Sequence, residues 1–226
     1  MYRLRVLLQS LPSKRYRKGE NIMDERDPLN IIVCGTGGQG NVLLSRFLAR
    51  AFAKKGYNTT IGETFGSSQR GGAVMSHVRV SREKSYGPLI PEGRGHVILG
   101  LEPMETVRVL GRYGNPEVKV ISNIRPVYPM EAITGEKDYP EMEEVKRAIQ
   151  ELSSKSWLLD ATQMSLEMGN PILTNMIMMG ALVQTKVVNL SRSDMEAMIR
   201  ETFSGKLAQI NITAASRGME AVHDKR

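Results

Sequence analysis

A short glycine-rich stretch restricts the fold more than any other feature of the sequence. The residues IVCGTGGQG place an apolar run directly before three glycines with the spacing Gly35-x-Gly37-x-x-Gly40. The apolar residues of NVLLSRFLARAFAKK, which follow at once, recur at helical spacing. In such a turn the first glycine permits the sharp change of direction, the second lets the backbone approach an anion, and the third lets helix and strand pack closely. We therefore predict a strand, a tight turn and a helix, in that order.

The rest of the chain continues this alternation of strands and helices. Apolar or alternating runs predict strands at residues 57–61, 73–81, 96–100, 118–122 and 157–160. Amphipathic spacing predicts helices at residues 103–113, 141–152, 171–185, 191–203 and 208–222. This order is typical of an α/β fold with a doubly wound, mostly parallel sheet flanked by helices, followed by a helical C-terminal part. We expect residues 28–226 to form a single domain of this kind.

The charge of the chain is positive overall, with a basic N-terminal segment. The net charge is +7, which favours an anionic partner. Because the excess is not concentrated in one block, we expect neither nucleic acid nor a membrane as a partner, and no apolar run approaches the roughly 20 residues that a bilayer span requires. Residues 1–27 are expected to be a basic arm, disordered or an artefact of the assigned start codon, since Met23 opens MDERDPLNIIVCG more naturally.

Cysteine and histidine usage excludes several kinds of site. The chain has one cysteine, Cys34, so it cannot by itself hold a cysteine-ligated iron–sulfur cluster. Cys34 lies within an apolar strand and is expected to be a small buried residue. The three histidines, His77, His96 and His223, have no metal-ligand spacing. We expect them to be structural or solvated.

The glycine turn has several interpretations when it is taken alone. A triphosphate-binding loop is disfavoured, because Asn41 and Val42 stand where lysine and a hydroxyl residue are required. A dinucleotide site would need an acidic residue near the end of the second strand, and Glu63 is placed for that role. However, Glu63 leads directly into FGSSQRGG, and the chain has no evident proton donor or separate substrate domain. A tight turn without a ligand also remains open.

A second motif after Glu63 makes the pattern more specific. GTGGQGNVLLSRFLARA followed by GETFGSSQRGGAVMSHVRVS resembles the small subunit of 2-oxoacid:ferredoxin oxidoreductases, and within that superfamily the indolepyruvate type. The resemblance continues through YGPLIPEGRGHVILGLEPMETVRVL, NIRPVYP, LDAT and GNPILTNMIMMGAL. The paired motifs GTGGQG and SSQRGG also explain the loop after Glu63, which the dinucleotide interpretation leaves unexplained.

The resemblance implies a role within a multisubunit enzyme. Such complexes decarboxylate a 2-oxoacid on thiamine diphosphate, pass electrons through iron–sulfur clusters to ferredoxin and form an acyl-CoA. Thiamine diphosphate and the clusters would belong to a large catalytic partner subunit. This chain would be a non-catalytic but obligatory cytoplasmic subunit, inactive alone and equivalent to a gamma domain. The alternative is a stand-alone NAD(P)-dependent oxidoreductase or nucleotide-binding module.

The same resemblance implies a binding site but no catalytic residue and no metal site in this chain. One wall of a polar crevice would be formed by Gly35, Gly37, Gly38, Gln39 and Gly40, and the other by Gln69, Arg70, Gly71 and Gly72. Arg70 would pair with a carboxylate or phosphate of CoA or the 2-oxoacid, or would secure a subunit contact.

The methionine-rich segment MSLEMGNPILTNMIMMGAL has two interpretations. Met176, Met178 and Met179 are either core residues or an adaptable apolar interface for the large subunit.

Overall fold

The computed structural model describes residues 26–65, 72–128, 130–136 and 138–222. The strands are β1 (Leu29–Thr36), β2 (Asn58–Phe65), β3 (Ala73–Ser81), β4 (Val97–Gly100), β5 (Lys119–Asn123) and β6 (Lys155–Leu159). The helices are α1 (Asn41–Lys54), α2 (Pro103–Tyr113), α3 (Met130–Ile133), α4 (Met142–Leu152), α5 (Ala161–Glu167), α6 (Thr174–Gln184), α7 (Arg192–Thr202) and α8 (Gly205–Glu220), with a 3-10 turn at Pro171–Leu173. This element order confirms the predicted α/β fold and its helical C-terminal part.

The six strands form one sheet in the order β2-β3-β1-β4-β5-β6. β1, β4, β5 and β6 pair in parallel, whereas β3 runs antiparallel to both β1 and β2. The mostly parallel sheet is therefore confirmed, with one difference in detail. The sequence suggests that β1, α1 and β2 form a simple βαβ unit, but β3 lies between β1 and β2. The apolar β3, with Val78 and Val80 buried, takes the inner position, and the more polar β2 takes the edge.

Helices cover both faces of this sheet, which explains the two-sided apolar pattern of the parallel strands. On the first face, α1, α6, α7 and α8 pack with strand residues such as Ile31, Val33 and Leu99. On the second face, α2 and α4 pack with strand residues such as Ile32 and Ile98. Cys34 also lies on the second face and is 1% exposed, which confirms that it is a buried residue. Burial raises the pKa of its thiol well above its usual range.

Local capping residues fix where several helices begin. The Glu102 side chain accepts a hydrogen bond from the backbone N–H of Glu105 and caps α2, which begins with Pro103 as the sequence predicts. Ser191 and Asp194 form a reciprocal capping box at the start of α7.

None of the described helices has both the length and the apolar character needed to cross a bilayer. Residues 1–25 and His223 lie outside the described residues, so the arm and the domain limits stay predictions.

Helix α6 answers the question raised by the methionine-rich segment. Met176, Met178 and Met179 are each 0% exposed. The helix is apolar on every side and packs against β5, α1, α5, α7 and α8. The core interpretation of this segment is confirmed.

Two histidines, His77, which is buried, and His96, which is half-buried, make the fold sensitive to acid. Nδ1 of His77 accepts the N–H of Ile90 at 3.2 Å, and Nδ1 of His96 accepts the N–H of Asn30 at 3.0 Å. An imidazolium cannot accept either bond. Burial is the main cause that lowers the pKa of each histidine from 6.5 to about 4, and the positive charge of nearby arginines lowers it further. Both histidines are therefore structural, as expected from the sequence.

We expect the free energy of unfolding to fall as the pH drops from 6.5 to about 4. The unfolded chain takes up these protons first, so the contribution is complete above pH 6.5 and is lost towards pH 4, by about 2–3 kcal/mol for each histidine. Urea unfolding followed by circular dichroism at several pH values measures it. The double variant His77→Gln/His96→Gln should show a flatter profile. An equally steep profile in that variant would assign the acid sensitivity to other groups.

Candidate functional site: the glycine turn at the carboxyl edge of the sheet

The glycine turn joins the carboxyl end of β1 to the amino end of α1. Gly38 and Gly40 have φ values of +97° and +85°, in the left-handed region that favours glycine. Gly40 is the N-cap of α1, and no side chain caps this helix. The first amides of α1 therefore have no acceptor within the helix and lie at its positive dipole end. This is the local geometry of an anion-binding turn.

Gln39 fastens the turn to the neighbouring strand β4. Its Oε1 accepts the N–H of Thr36 at 2.8 Å, and its Nε2 donates to the carbonyl of Leu101 at 3.1 Å. Both polar ends of the side chain are thus engaged by backbone groups. Gln39 therefore holds the turn in position. The sequence instead predicts Gln39 to be among the residues that line the ligand-binding wall.

The side chain of Asn41 also stabilises the turn. Its Nδ2 donates to the carbonyl of Thr36 at 3.0 Å, and the side chain is buried. Its Oδ1 is one of three buried side-chain atoms of the described residues that have no hydrogen-bond partner. A Cβ at Gly35 would lie 2.5 Å from Oε1 of Gln39 and 2.9 Å from this Oδ1. Gly35 is therefore required because the two amide side chains fill the space beside it.

The second predicted wall meets the turn at one described residue. The N–H of Gly37 donates to the carbonyl of Gly72 at 2.9 Å, which joins the two motifs directly. Gln69, Arg70 and Gly71 lie outside the described residues. The structure thus brings together Gly35, Gly37, Gly38, Gln39, Gly40 and Gly72 at one edge of the sheet.

Three polar residues that the sequence interpretation missed also lie at this edge. Nδ2 of Asn123, at the end of β5, donates to the carbonyl of Leu101 and to Oγ1 of Thr162, each at 3.0 Å. On the other side, a Cβ at Gly40 would lie 2.6 Å from Nδ2 of Asn175. Their positions in the sequence could have indicated them. Asn123 and Thr162 follow predicted strands, and Asn175 lies near the start of a predicted helix. Asn123, Thr162 and the carbonyl of Leu101 form a small polar network, and Asn175 lies beside Gly40 of the turn.

A buried carboxylate next to this network secures the segment that follows β5. Glu102 is 1% exposed, and its Oε1 accepts the hydroxyl of Tyr139 at 2.7 Å and the N–H of Val127 at 3.4 Å. Burial, together with the carboxylate of Glu102, raises the pKa of Tyr139 well above its usual range. Tyr139 therefore stays a hydroxyl donor and holds the residues after β5 against the start of α2.

The position of Glu63 weighs against a dinucleotide site. The ribose-binding acid of such a site lies at the end of the strand next to β1. Here β3 separates β2 from β1, so Glu63 is displaced by a second strand spacing of about 4.8 Å. Its carboxylate also lies 3.6 Å from the guanidinium of Arg46.

Two solved structures share this fold. The pyruvate oxidoreductase subunit PORC from Thermotoga maritima superposes with a TM-score of 0.64 at 19% identity, covering 86% of this chain and 97% of that chain. A 2-oxoglutarate:ferredoxin oxidoreductase from Magnetococcus marinus, solved with 2-oxoglutarate, coenzyme A and succinyl-CoA bound, gives a TM-score of 0.67 at 21% identity, covering 88% of this chain and 32% of that chain. Both superpositions show that this chain has the same α/β fold as these proteins.

Sequence comparison defines the family. Residues 30–221 match the pyruvate ferredoxin/flavodoxin oxidoreductase family, and the chain belongs to it. It is 36% identical over 196 residues to the indolepyruvate oxidoreductase subunit IorB of Pyrococcus horikoshii, covering 86% of this chain and 96% of that protein. It is 30% identical over 191 residues to the pyruvate/ketoisovalerate oxidoreductases common subunit gamma of Pyrococcus abyssi, covering 82% and 92% respectively. These relatives are subunits of oxidoreductases, which confirms the resemblance seen in the sequence.

Proposed function

We propose that this chain is the small, non-catalytic subunit of a 2-oxoacid:ferredoxin oxidoreductase complex acting on indolepyruvate or another aryl pyruvate. The observation that carries this proposal is the 36% identity to an indolepyruvate oxidoreductase subunit across 96% of that subunit's length. The reaction would produce an acyl-CoA and reduced ferredoxin in the cytoplasm. The chain would be inactive alone and obligatory in the complex.

We assign thiamine diphosphate and the iron–sulfur clusters to a large partner subunit. The donor set of this chain does not fit a cluster, because its one cysteine is buried within β1. Its described residues contain no group of three or more histidine, cysteine, aspartate or glutamate side chains arranged to hold a metal ion. Ferredoxin would therefore receive its electrons from the partner.

We further propose that the glycine turn at the carboxyl edge forms one wall of a crevice that receives an anionic group of CoA or of the 2-oxoacid. The uncapped amides of α1 and the amide of Gly38 can donate to phosphate or carboxylate oxygens. Gly35 and Gly40 leave room for the side chains of Gln39, Asn41 and Asn175, and Gln39 and Asn41 hold the turn in shape. Gln69, Arg70, Gly71 and Gly72 would complete the site, with the guanidinium of Arg70 as the charged contact.

The test compares 2-oxoacid-dependent reduction of a viologen dye by this chain alone and by the chain co-expressed with its neighbouring large-subunit gene. CoA and thiamine diphosphate are supplied to both. We expect activity only in the complex, greatest with aryl pyruvates. Turnover of a nicotinamide by the lone chain, or an inactive complex of verified composition, would reject the proposal.

Within the active complex, Arg70→Lys tests the crevice. Lysine keeps the charge but loses the bidentate geometry, so we expect the KM for CoA or for the 2-oxoacid to rise about tenfold. The matched control is Arg50→Lys, because Arg50 is exposed on α1, away from the turn. Unchanged kinetics in an intact complex would leave Arg70 only a structural role.

A further inference from the structure

Exposed apolar side chains are concentrated at the carboxyl edge of the sheet. The described residues include seven large apolar side chains that are exposed to solvent. Five of them lie in the segment after β5 (residues 124–141) or the segment after β6 (residues 160–173): Val127, Tyr128, Ile133, Leu166 and Ile172. Their exposed fractions lie between 40% and 74%. Single exposed apolar residues are ordinary on protein surfaces, whereas a group of them on one face marks an interaction site.

The other two exposed apolar residues lie away from this edge. The guanidinium of Arg79 joins the carbonyl of Leu89 to the amino end of β1. Leu207 lies in the first turn of α8, about 16 Å along the helix from Gly218, which packs on the carbonyl of Ile177 near the start of α6. The exposed apolar surface is therefore unevenly distributed and favours the carboxyl edge.

A series of contacts joins the two segments into one surface around the glycine turn. Asn123, where the segment after β5 begins, donates to Oγ1 of Thr162 in α5. Oγ of Ser165, also in α5, lies 2.9 Å from Oγ1 of Thr174, the first residue of α6. This end of α6 lies beside the turn, because the side chain of its second residue occupies the space next to Gly40. The apolar residues and the turn thus share one face.

The buried carboxylate of Glu102 holds the segment after β5 in this position. It accepts the N–H of Val127 near one end of the segment and the hydroxyl of Tyr139 near the other. The rings of Tyr128 and Tyr139 make an edge-to-face contact, with their centroids 5.0 Å apart. Val127 and Tyr128 are therefore presented to solvent by a braced backbone, so less conformational entropy is lost when a partner covers them.

Negative charge borders these apolar residues. The segment after β5 contains four acidic and two basic side chains, in a chain whose net charge is +7. One of the two basic side chains, Arg125, already lies 4.0 Å from the carboxylate of Asp160. Glu136, Asp138 and Glu141 are exposed, and none of them forms an ion pair with another described residue. A complementary partner surface is apolar at its centre and bordered by lysine or arginine side chains.

We infer that the carboxyl-edge face, formed by the segments after β5 and β6 around the glycine turn, is where the large catalytic subunit docks, through an apolar surface bordered by basic side chains. This inference rests on the proposed function, which supplies the partner. The two segments contain enough residues for a standard interface, which uses roughly 20–30 on each side. Docking here would enclose the glycine turn between the two subunits.

Hydrogen–deuterium exchange of the co-expressed complex and of the full chain alone locates the interface. We expect amides in the segments after β5 and β6 to exchange at least about tenfold more slowly in the complex. Amides around Leu89 and Leu207 should keep their rates. Unchanged exchange in both segments would overturn the inference, whatever happens elsewhere in the chain.

Matched double variants test the same face through the lifetime of the complex. Ile133→Ser/Ile172→Ser removes one exposed apolar side chain from each segment, and Leu89→Ser/Leu207→Ser removes two comparably exposed ones from elsewhere. An excess of labelled parent chain measures how fast each variant leaves the purified complex. We expect the first variant to leave about tenfold faster than the parent, or not to assemble, and the second to behave like the parent. Equal or reversed effects would reject this face. Circular dichroism checks that both variants fold.

Glu136→Lys tests the charged border, with Glu83→Lys as the control because Glu83 is also exposed but follows β3. Parent and variant chains carrying different dyes compete for the large subunit during the same exchange. We expect Glu136→Lys to be incorporated several-fold more slowly at low salt and nearly equally at high salt. Faster incorporation of Glu136→Lys would contradict a basic border on the partner.

The viologen assay separates failure of this inference from failure of the proposed function. An active complex in which neither segment is protected rejects the docking face alone, whereas an inactive complex of verified composition rejects the proposed function. Size-exclusion chromatography of the lone chain tests a second copy as the occupant. A dimer that Ile133→Ser/Ile172→Ser converts to a monomer, without protection of either segment in the complex, would assign the face to self-association and overturn the inference.

Discussion

Gly180→Val is expected to lower the free energy of unfolding by about 3 kcal/mol or more, because α6 and α8 cross with their backbones in contact. A Cβ at Gly180 would overlap the carbonyl of Ala215, and a Cβ at Gly218 would overlap the carbonyl of Ile177. The two glycines thus act reciprocally, one on each helix. Neither carbonyl can move without shifting its own helix.

Urea unfolding followed by circular dichroism measures this effect. Gly87→Ala is the matched control, because a Cβ at Gly87 meets no atom within 4 Å and its φ is not in the left-handed region. We expect that control to unfold within about 0.5 kcal/mol of the parent chain. Parent-like stability of Gly180→Val would show that the two helices are not in such close contact.

Met178→Asp is expected to have the second large effect, and its outcome separates core from interface. Met178 is 0% exposed, on a helix that is buried on all sides. A carboxylate at this position would have no partner, with an expected loss of about 4–5 kcal/mol, which is close to the whole stability of many domains. We expect the variant chain to unfold or aggregate even without a partner subunit.

Met178→Leu conserves volume and is the control, with an expected loss below about 1.5 kcal/mol. Thermal unfolding of the three isolated chains gives the comparison. A folded Met178→Asp chain that has lost only its ability to co-purify with the large subunit would restore the interface interpretation.

Local features of the fold could be predicted because their causes are local. The apolar run, the glycines and the helical spacing between residues 30 and 55 specify β1, the turn and α1 with no information from the rest of the chain. The start of α2 at Pro103 and the capping box of Ser191 and Asp194 are equally local. Helix α5 was missed because it is seven residues long, too short for the period to stand out.

Nonlocal features could not be predicted. The apolar residues of β3 favour an inner position in the sheet, but they do not identify β1 and β2 as its neighbours, because strand pairing is a contact between distant parts of the chain. The predicted helix at residues 171–185 divides into a 3-10 turn and α6, where the side chain of Asn170 accepts the N–H of Ile172. The hydrogen bond between Asn123 and Thr162, and the position of Asn175 beside Gly40, bring together separate elements and exist only once the sheet has formed.

The reversed strand β3 has a consequence for how the family can diversify. The chain leaves the sheet at Phe65 and re-enters beside Gly37 at Gly72, and eight residue pairs on each side of β3 hold its register. Changes of length or composition between these two points can accumulate without moving the sheet or its helices. Under the proposed function, evolution can therefore change the ligand preference of the proposed crevice by altering one connection, while the rest of the subunit is preserved.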